Sequence, residues 1–251
     1  MIRSTVVAIL LLIGHPAFAA DPHLSLTTGL DYSIGDYGTP DDTETWFLPL
    51  NLKYQSGHYS FKLGMSYLFV RGPQSVTPDG DPIPGGGVVK TTHGFGDVTA
   101  AFTVEVLDER NYPFGLDLTG KIKFGTASED KALGTGENDY TLQASFYKPM
   151  GAWMPYLDVA HRWKGDPPGI DYQNVWYVTA GSSYRINKAW SLGADYAWRE
   201  KLTSGGDEIS EATLYANYKI NDHNKLNLYG VAGFSDASPD WGLGFMTTHS
   251  F

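Results

Sequence analysis

The sequence predicts an all-β chain that closes into a transmembrane antiparallel β-barrel of about twelve strands, joined as an up-and-down meander. Three observations predict it. Apolar and polar residues alternate with a period of two from end to end, the connections alternate between tight and long, and aromatic rings gather at strand ends. In AWSLGADYAWR, Ala189 to Arg199, Trp190, Leu192, Ala194, Tyr196 and Trp198 share one face of an extended strand, and Asp195 and Arg199 share the other.

Taken in chain order, residues 1–19 read as a cleaved signal peptide. Arg3 supplies a positive start, Val6 to Ile13 an apolar core, and Ala17-Phe18-Ala19 a small-x-small cleavage site. That apolar run is shorter than the roughly 20 residues a helix needs to cross a bilayer. Residues 20–251 form the predicted barrel domain. Alternation places strands at Leu24 to Ile34, Thr45 to Gln55, Tyr59 to Val70, Gly94 to Val106, Phe114 to Thr126 and Asp139 to Lys148. Six more follow at Trp153 to Trp163, Val175 to Ile186, Ala189 to Glu200, Ile209 to Ile220, Leu226 to Ser235 and Asp240 to Phe251.

The connections carry independent information. QSGH, DERNYP, PMGA, NK and NDHNK are of hairpin size, whereas Arg71 to His93, Ala127 to Asn138 and Lys164 to Asn174 are long and polar. Outer-membrane barrels have short periplasmic turns and long extracellular loops. The rings agree: Trp46 and Tyr54 bracket Leu48, Leu50 and Leu52, and Phe114 and Phe124 bracket Leu116, Leu118 and Ile122. Amphipathic rings prefer the two headgroup levels, and a soluble sandwich core has no reason to sort them this way.

Composition narrows the partners. There are 28 acidic against 18 basic residues, a net charge of −10, and removal of Arg3 makes the exported chain one charge more negative, so nucleic acid is excluded as a partner. With no cysteine, the chain uses neither disulfides nor thiol chemistry. Expected partners are membrane lipid, lipopolysaccharide, small-molecule solutes and, through the terminal aromatic Phe251, the assembly machinery of the Gram-negative outer membrane. No cofactor is expected.

If parity holds, the lumen carries Asp117, Lys121, Lys123, Asp158, Arg162, Arg185, Asp195, Arg199 and Glu211, which are the constriction candidates. Lys or Arg on the lipid side would cost about 2–4 kcal/mol at the midplane. Such charges either pair into a ladder that stiffens the wall or screen solutes. Phe47, Phe95 and Tyr177 are expected on the polar face near the extracellular mouth, either capturing solute or packing against the loop Arg71 to His93. Pro49 removes a ladder hydrogen bond in mid-strand, which reads as a bulge or as a wall break through which an apolar molecule leaves sideways.

Catalysis is not expected. His161 faces outward near the outer leaflet, where a lipid hydrolase would place its base, but its outward neighbours Tyr140, Trp176 and Val178 offer no nucleophile. No metal site is expected either, since Asp79 and Asp81 in PDGDP lack a complete ligand set.

A resemblance adds to this reading. GFGDVTAAFTVEVLDE (Gly94 to Glu109), GKIKFGTAS (Gly120 to Ser128) and ALGTGENDYTLQASFYKP (Ala132 to Pro149) resemble, in this order, a family of Gram-negative outer-membrane transporters linked to the MetA pathway of phenol degradation. The sequence departs from it at KFGTAS, where that family has Pro-Thr-Gly. The resemblance implies a barrel similar to channels for hydrophobic compounds, admitting small, aromatic or apolar molecules by passive diffusion. The alternative is a closed structural or surface-interaction barrel with acidic extracellular loops and no transport.

Overall fold

A computed structural model describes residues 22–76, 82–84, 89–169 and 171–251. The expected signal peptide, Asp79 and Asp81 lie outside the described residues. The strands are β1 (His23–Gly35), β2 (Thr43–Ser56), β3 (Tyr59–Gly72), β4 (Gln74–Val76), β5 (Pro82–Pro84), β6 (Lys90–Phe95), β7 (Val98–Leu107) and β8 (Gly115–Phe124). They continue with β9 (Asp139–Tyr147), β10 (Trp153–Trp163), β11 (Val175–Arg185), β12 (Trp190–Arg199), β13 (Ile209–Lys219), β14 (Asn224–Gly233) and β15 (Trp241–Ser250). All neighbours are antiparallel, and β1 pairs with β15 from Ser25↔Ser250 to Ile34↔Trp241, which closes the sheet. With β6 and β7 counted as one staggered strand, the wall is a closed twelve-strand meander. β4 and β5 pair with each other in a separate two-stranded sheet.

The faces follow from the period-two pleat. Leu48, Leu50 and Leu52 of β2 and Leu63 and Met65 of β3 are exposed on the outside, as are Leu118, Leu142, Leu157, Leu192, Leu214, Leu228 and Leu243 farther round. Left in water, each would forfeit about 1.5–3 kcal/mol of burial, so only lipid satisfies this wall. Rings edge the aliphatic band on both sides, with Tyr54, Tyr59, Trp153 and Trp190 at the short-turn end and Trp46, Phe69, Trp163 and Trp176 at the long-loop end. Several pair across strands, Trp190 with Tyr218 at 4.5 Å and Trp153 with Tyr184 at 4.8 Å between centroids.

Two irregularities revise the parity reading. Residues expected as one strand from Gly94 to Val106 are broken at Gly96 and Asp97. The ladder with β3 runs Tyr67↔Phe95 on one side of the break and Gly64↔Thr99 on the other, a slip of one residue. A one-residue slip reverses every side chain beyond it. Phe95 therefore faces outward, its ring edge-on to the lipid-facing Tyr67 at 5.4 Å, and is not a lumen aromatic. At Pro49 there is no bulge. The β1–β2 ladder skips from Thr28↔Leu50 to Asp31↔Phe47 with its register unchanged, while Pro49↔Ser66 keeps its place against β3. A bulge does occur at the short-turn end of β7, between Glu105 and Leu107.

The long connections 36–42, 125–138, 164–174, 200–208 and 234–240 share one end of the barrel. They turn inward as well as outward. Leu133 and Ala127 of the second pack on Leu68 and Val70 of β3, with Phe47 against them, so Phe47 meets segment 125–138. Tyr172 of the third and Leu202 of the fourth pack on Val175 with Tyr177 alongside, and the Gln173 N–H donates to the Leu202 carbonyl at 2.7 Å.

Candidate functional site

The lumen is built in layers from the turn end to the loop end. Its middle is a belt of tyrosines, each set directly across the ladder from a glycine: Tyr147 from Gly115, Tyr156 from Gly181, Tyr215 from Gly193 and Tyr229 from Gly244. A Cβ on any of these glycines would run into the facing ring, so the missing side chain lets the phenol lie flat on the wall. The phenols are tied by hydrogen bonds. Tyr156 donates to Asp195 at 2.8 Å and lies 3.2 Å from the Tyr215 hydroxyl, and Tyr229 donates to Asp31 at 2.8 Å. The sequence carried a signal for this belt, glycine and tyrosine at matching inward positions, but reading it requires the register.

Above the belt, toward the long loops, lies a cavity of about 340 Å³ whose lining includes Asp31, Tyr37, Phe47, Leu68, Tyr177, Arg199, Ile209 and Glu211. Burial pushes the phenol of Tyr37, in segment 36–42, far above its ordinary value, with the Glu211 carboxylate adding to the shift. Arg162 and Arg199 flank the Tyr177 ring, their guanidinium carbons 4.5 and 5.6 Å from its centroid, and Arg199 is only 1 % exposed. Such stacking is what a guanidinium offers over an ammonium.

Beside this cavity is a buried ion network. The Lys123 ammonium lies 3.0 Å from Asp97 and 3.3 Å from Asp139, and Lys164 lies 2.7 Å from Asp139. Asp97 also accepts the backbone N–H groups of Thr126 and Ala127 at 2.9 and 2.8 Å, and Asp139 accepts that of Gly165. Two of the inward-turned segments are thus anchored by carboxylates on barrel strands or at the strand break. A space of about 390 Å³ lies at the belt itself, beside Tyr215 and Tyr229, and below it are two more: one of about 480 Å³ holding Lys53, Lys62, Glu105 and Asp117, and one of about 560 Å³ beside Arg185.

The nine charged candidates do not form one ring. Lys123, Arg162 and Arg199 sit in the loop-end third, with Glu211 two pairs below Ile209, which faces Arg199. Asp158 and Asp195 are near mid-height, opposite Thr179 and Thr213. Lys121 pairs with Ala101 and Thr141, Asp117 lies toward the turn end, and Arg185 is the last residue of β11. Asp139 and Lys164 complete the buried network and were missed, because both fall at strand ends where the period-two signal fades. His161 lies outside, its ring 4.7 and 4.6 Å from those of Trp163 and Trp176, with Leu142 and Trp176 as ladder partners. Glu105, Asp108 and Glu109 cluster at the β7–β8 turn, where Arg110 clamps Asp108.

No protein-family profile and no curated protein matches the chain. Solved structures share its fold at low identity. An outer membrane channel from Pseudomonas putida F1 superposes with a TM-score of 0.69 at 16 % identity, covering 95 % of this chain and 100 % of that one. The NanC porin gives 0.54 at 11 % identity over 90 % and 98 % of the two chains, and the CymD monoaromatic hydrocarbon channel 0.51 at 10 % over 92 % and 88 %.

Proposed function

We propose that this protein is a channel of the Gram-negative outer membrane that admits small molecules by passive diffusion, its long loops outside the cell and its short turns in the periplasm. The observation that carries the reading is a succession of spaces lined by both charged and apolar side chains, from the loop-end cavity to the two at the turn end, inside a closed wall whose outer face is apolar. Charged side chains within such a wall are tolerated because the interior is wet or paired. The fold shared with channels and porins supports the same reading and gives no grounds for catalysis.

Small aromatic or apolar solutes are the proposed cargo. In the loop-end cavity Phe47, Leu68, Tyr177 and Ile209 offer apolar contact, while Arg199, Asp31 and Glu211 fix a polar end. Lateral exit would occur beside Pro49, where the ladder lacks two pairs. Phe251, whose N–H reaches the Leu24 carbonyl at 3.0 Å while its ring faces outward, is the proposed handle for barrel assembly. A second reading, a barrel closed to transport, has its own support in Leu133 and Leu202 packed inside the loop end. Single-channel conductance of the refolded mature chain in a planar bilayer separates the two. Discrete steps altered by Arg199→Glu support the channel; no current from folded protein leaves the closed barrel.

A further inference from the structure

The turn-end lumen has two spaces of opposite electrostatic character. In one, Lys53 and Lys62 face each other directly across the β2–β3 ladder, but Glu105 and Asp117 line the same space and balance them. In the other, Lys219 and Lys225 face each other directly across the β13–β14 ladder, and Arg185 and Lys188 line the same space with no carboxylate among its described lining residues. Asp222 meets Lys219 at 2.5 Å from the exposed turn, outside that lining. Like charges directly opposite on one face of a sheet are destabilising. Asp222 offsets Lys219, and the three remaining cations Arg185, Lys188 and Lys225, lining about 560 Å³ beside the hydroxyl and amide donors Ser183, Ser191, Asn217, Asn227 and Thr248, form a surplus that an oxyanion would neutralise.

We infer that the space between Arg185 and Lys225 is an oxyanion-binding vestibule, taking the carboxylate of a small organic acid or a phosphate group at the turn end of the lumen. Lys225 supplies charge from β14, Arg185 a planar fork from the end of β11 on the same stretch of wall, and Lys188 closes the rim from the turn between β11 and β12. Its occupant is cargo only if the channel reading holds; the binding site itself does not depend on conduction.

Two measurements test it on the refolded mature protein. Calorimetric titration with sodium benzoate and, separately, with inorganic phosphate should show saturable binding weakened about tenfold or more by Lys225→Gln, and likewise by Lys188→Gln, a turn substitution that leaves the wall intact. Stronger benzoate binding marks an organic acid as the natural ligand and stronger phosphate binding a phosphate group; either supports the site. Under a salt gradient, wild-type current should favour chloride, and Lys225→Gln should shift the reversal potential toward cation preference. Failure of both anions to bind, or binding that both variants leave unchanged, overturns the inference even if the channel conducts. Binding that the variants weaken in a barrel carrying no current preserves the inference and overturns the channel.

Discussion

Replacing Asp97 with asparagine should unlatch segment 125–138 from the wall. Asp97 is 4 % exposed and accepts three hydrogen bonds, from the Lys123 ammonium at 3.0 Å and from the Thr126 and Ala127 N–H groups at 2.9 and 2.8 Å. Asparagine keeps an oxygen for the two backbone donors but removes the charge. Lys123, also 4 % exposed, is then left to share Asp139 with Lys164, two buried cations on one carboxylate. Breaking a buried pair from one side costs about 3–5 kcal/mol, whereas replacing both partners with groups of similar volume is often neutral. The expected loss for Asp97→Asn is therefore about 3 kcal/mol, and Asp97→Ala, which orphans the two N–H groups as well, should cost about 1–3 kcal/mol more. Reversible urea unfolding in lipid vesicles, followed by tryptophan fluorescence, measures both. Adding Lys123→Met to Asp97→Asn should restore at least half of the loss, and the double-mutant cycle should return a coupling above about 1 kcal/mol. A loss below about 1 kcal/mol for Asp97→Asn, or a double variant no better than the single, would show that the network does not hold the segment.

Other outcomes follow from the same geometry. Gly193→Val places a branched side chain where the Tyr215 ring lies, so it should push the phenol into the lumen, lower single-channel conductance at least about twofold and cost about 1–3 kcal/mol. Pro49→Val restores a ladder donor facing Gly29 and should slow uptake of an apolar aromatic into intact cells while sparing a polar sugar; equal uptake of both in the two proteins removes the lateral route. At the β7–β8 turn, hydrogen bonds from the Arg110 guanidinium and N–H hold the Asp108 carboxyl down at about 2. Its contribution to stability is present above the unfolded value of 3.8 and is lost as pH falls through about 2, so its carboxyl carbon resonance should stay that of an ionised group at pH 3.5, and its titration midpoint should move upward in Arg110→Ala, which removes the guanidinium and keeps the N–H.

The wall was legible because lipid outside and polar groups inside impose opposite demands on alternate residues, and stretches such as Leu50 to Tyr54 obey them without interruption. Legibility stopped where the period stopped. The count that placed Phe95 inside assumed an unbroken strand, and the slip at Gly96 and Asp97 invalidates it. Yet one of the two residues at the slip, Asp97, is the one whose carboxylate anchors segment 125–138, so the irregularity and the latch share one place in the wall. The inward course of the long segments was not readable, because a single Leu133 or Leu202 in a polar stretch carries no period. The Tyr–Gly belt was present in composition but required strand register to see.

The belt also has a consequence for traffic. Its ladder partners climb: Tyr147 near the turn end of β9 adjoins Tyr156, Tyr229 and Gly244 lead to Asp31, and Asp31 leads to Phe47 and Leu68 near the loop end of β2 and β3. The belt is thus a ramp rather than a diaphragm. A molecule descending it would meet arginine, carboxylate and phenol one after another, as resistances in series, with no single plane at which all of them judge it. Discrimination spread along a ramp is shallow at every step, which suits a pore that sorts by overall shape and polarity and has no need to hold its passenger still.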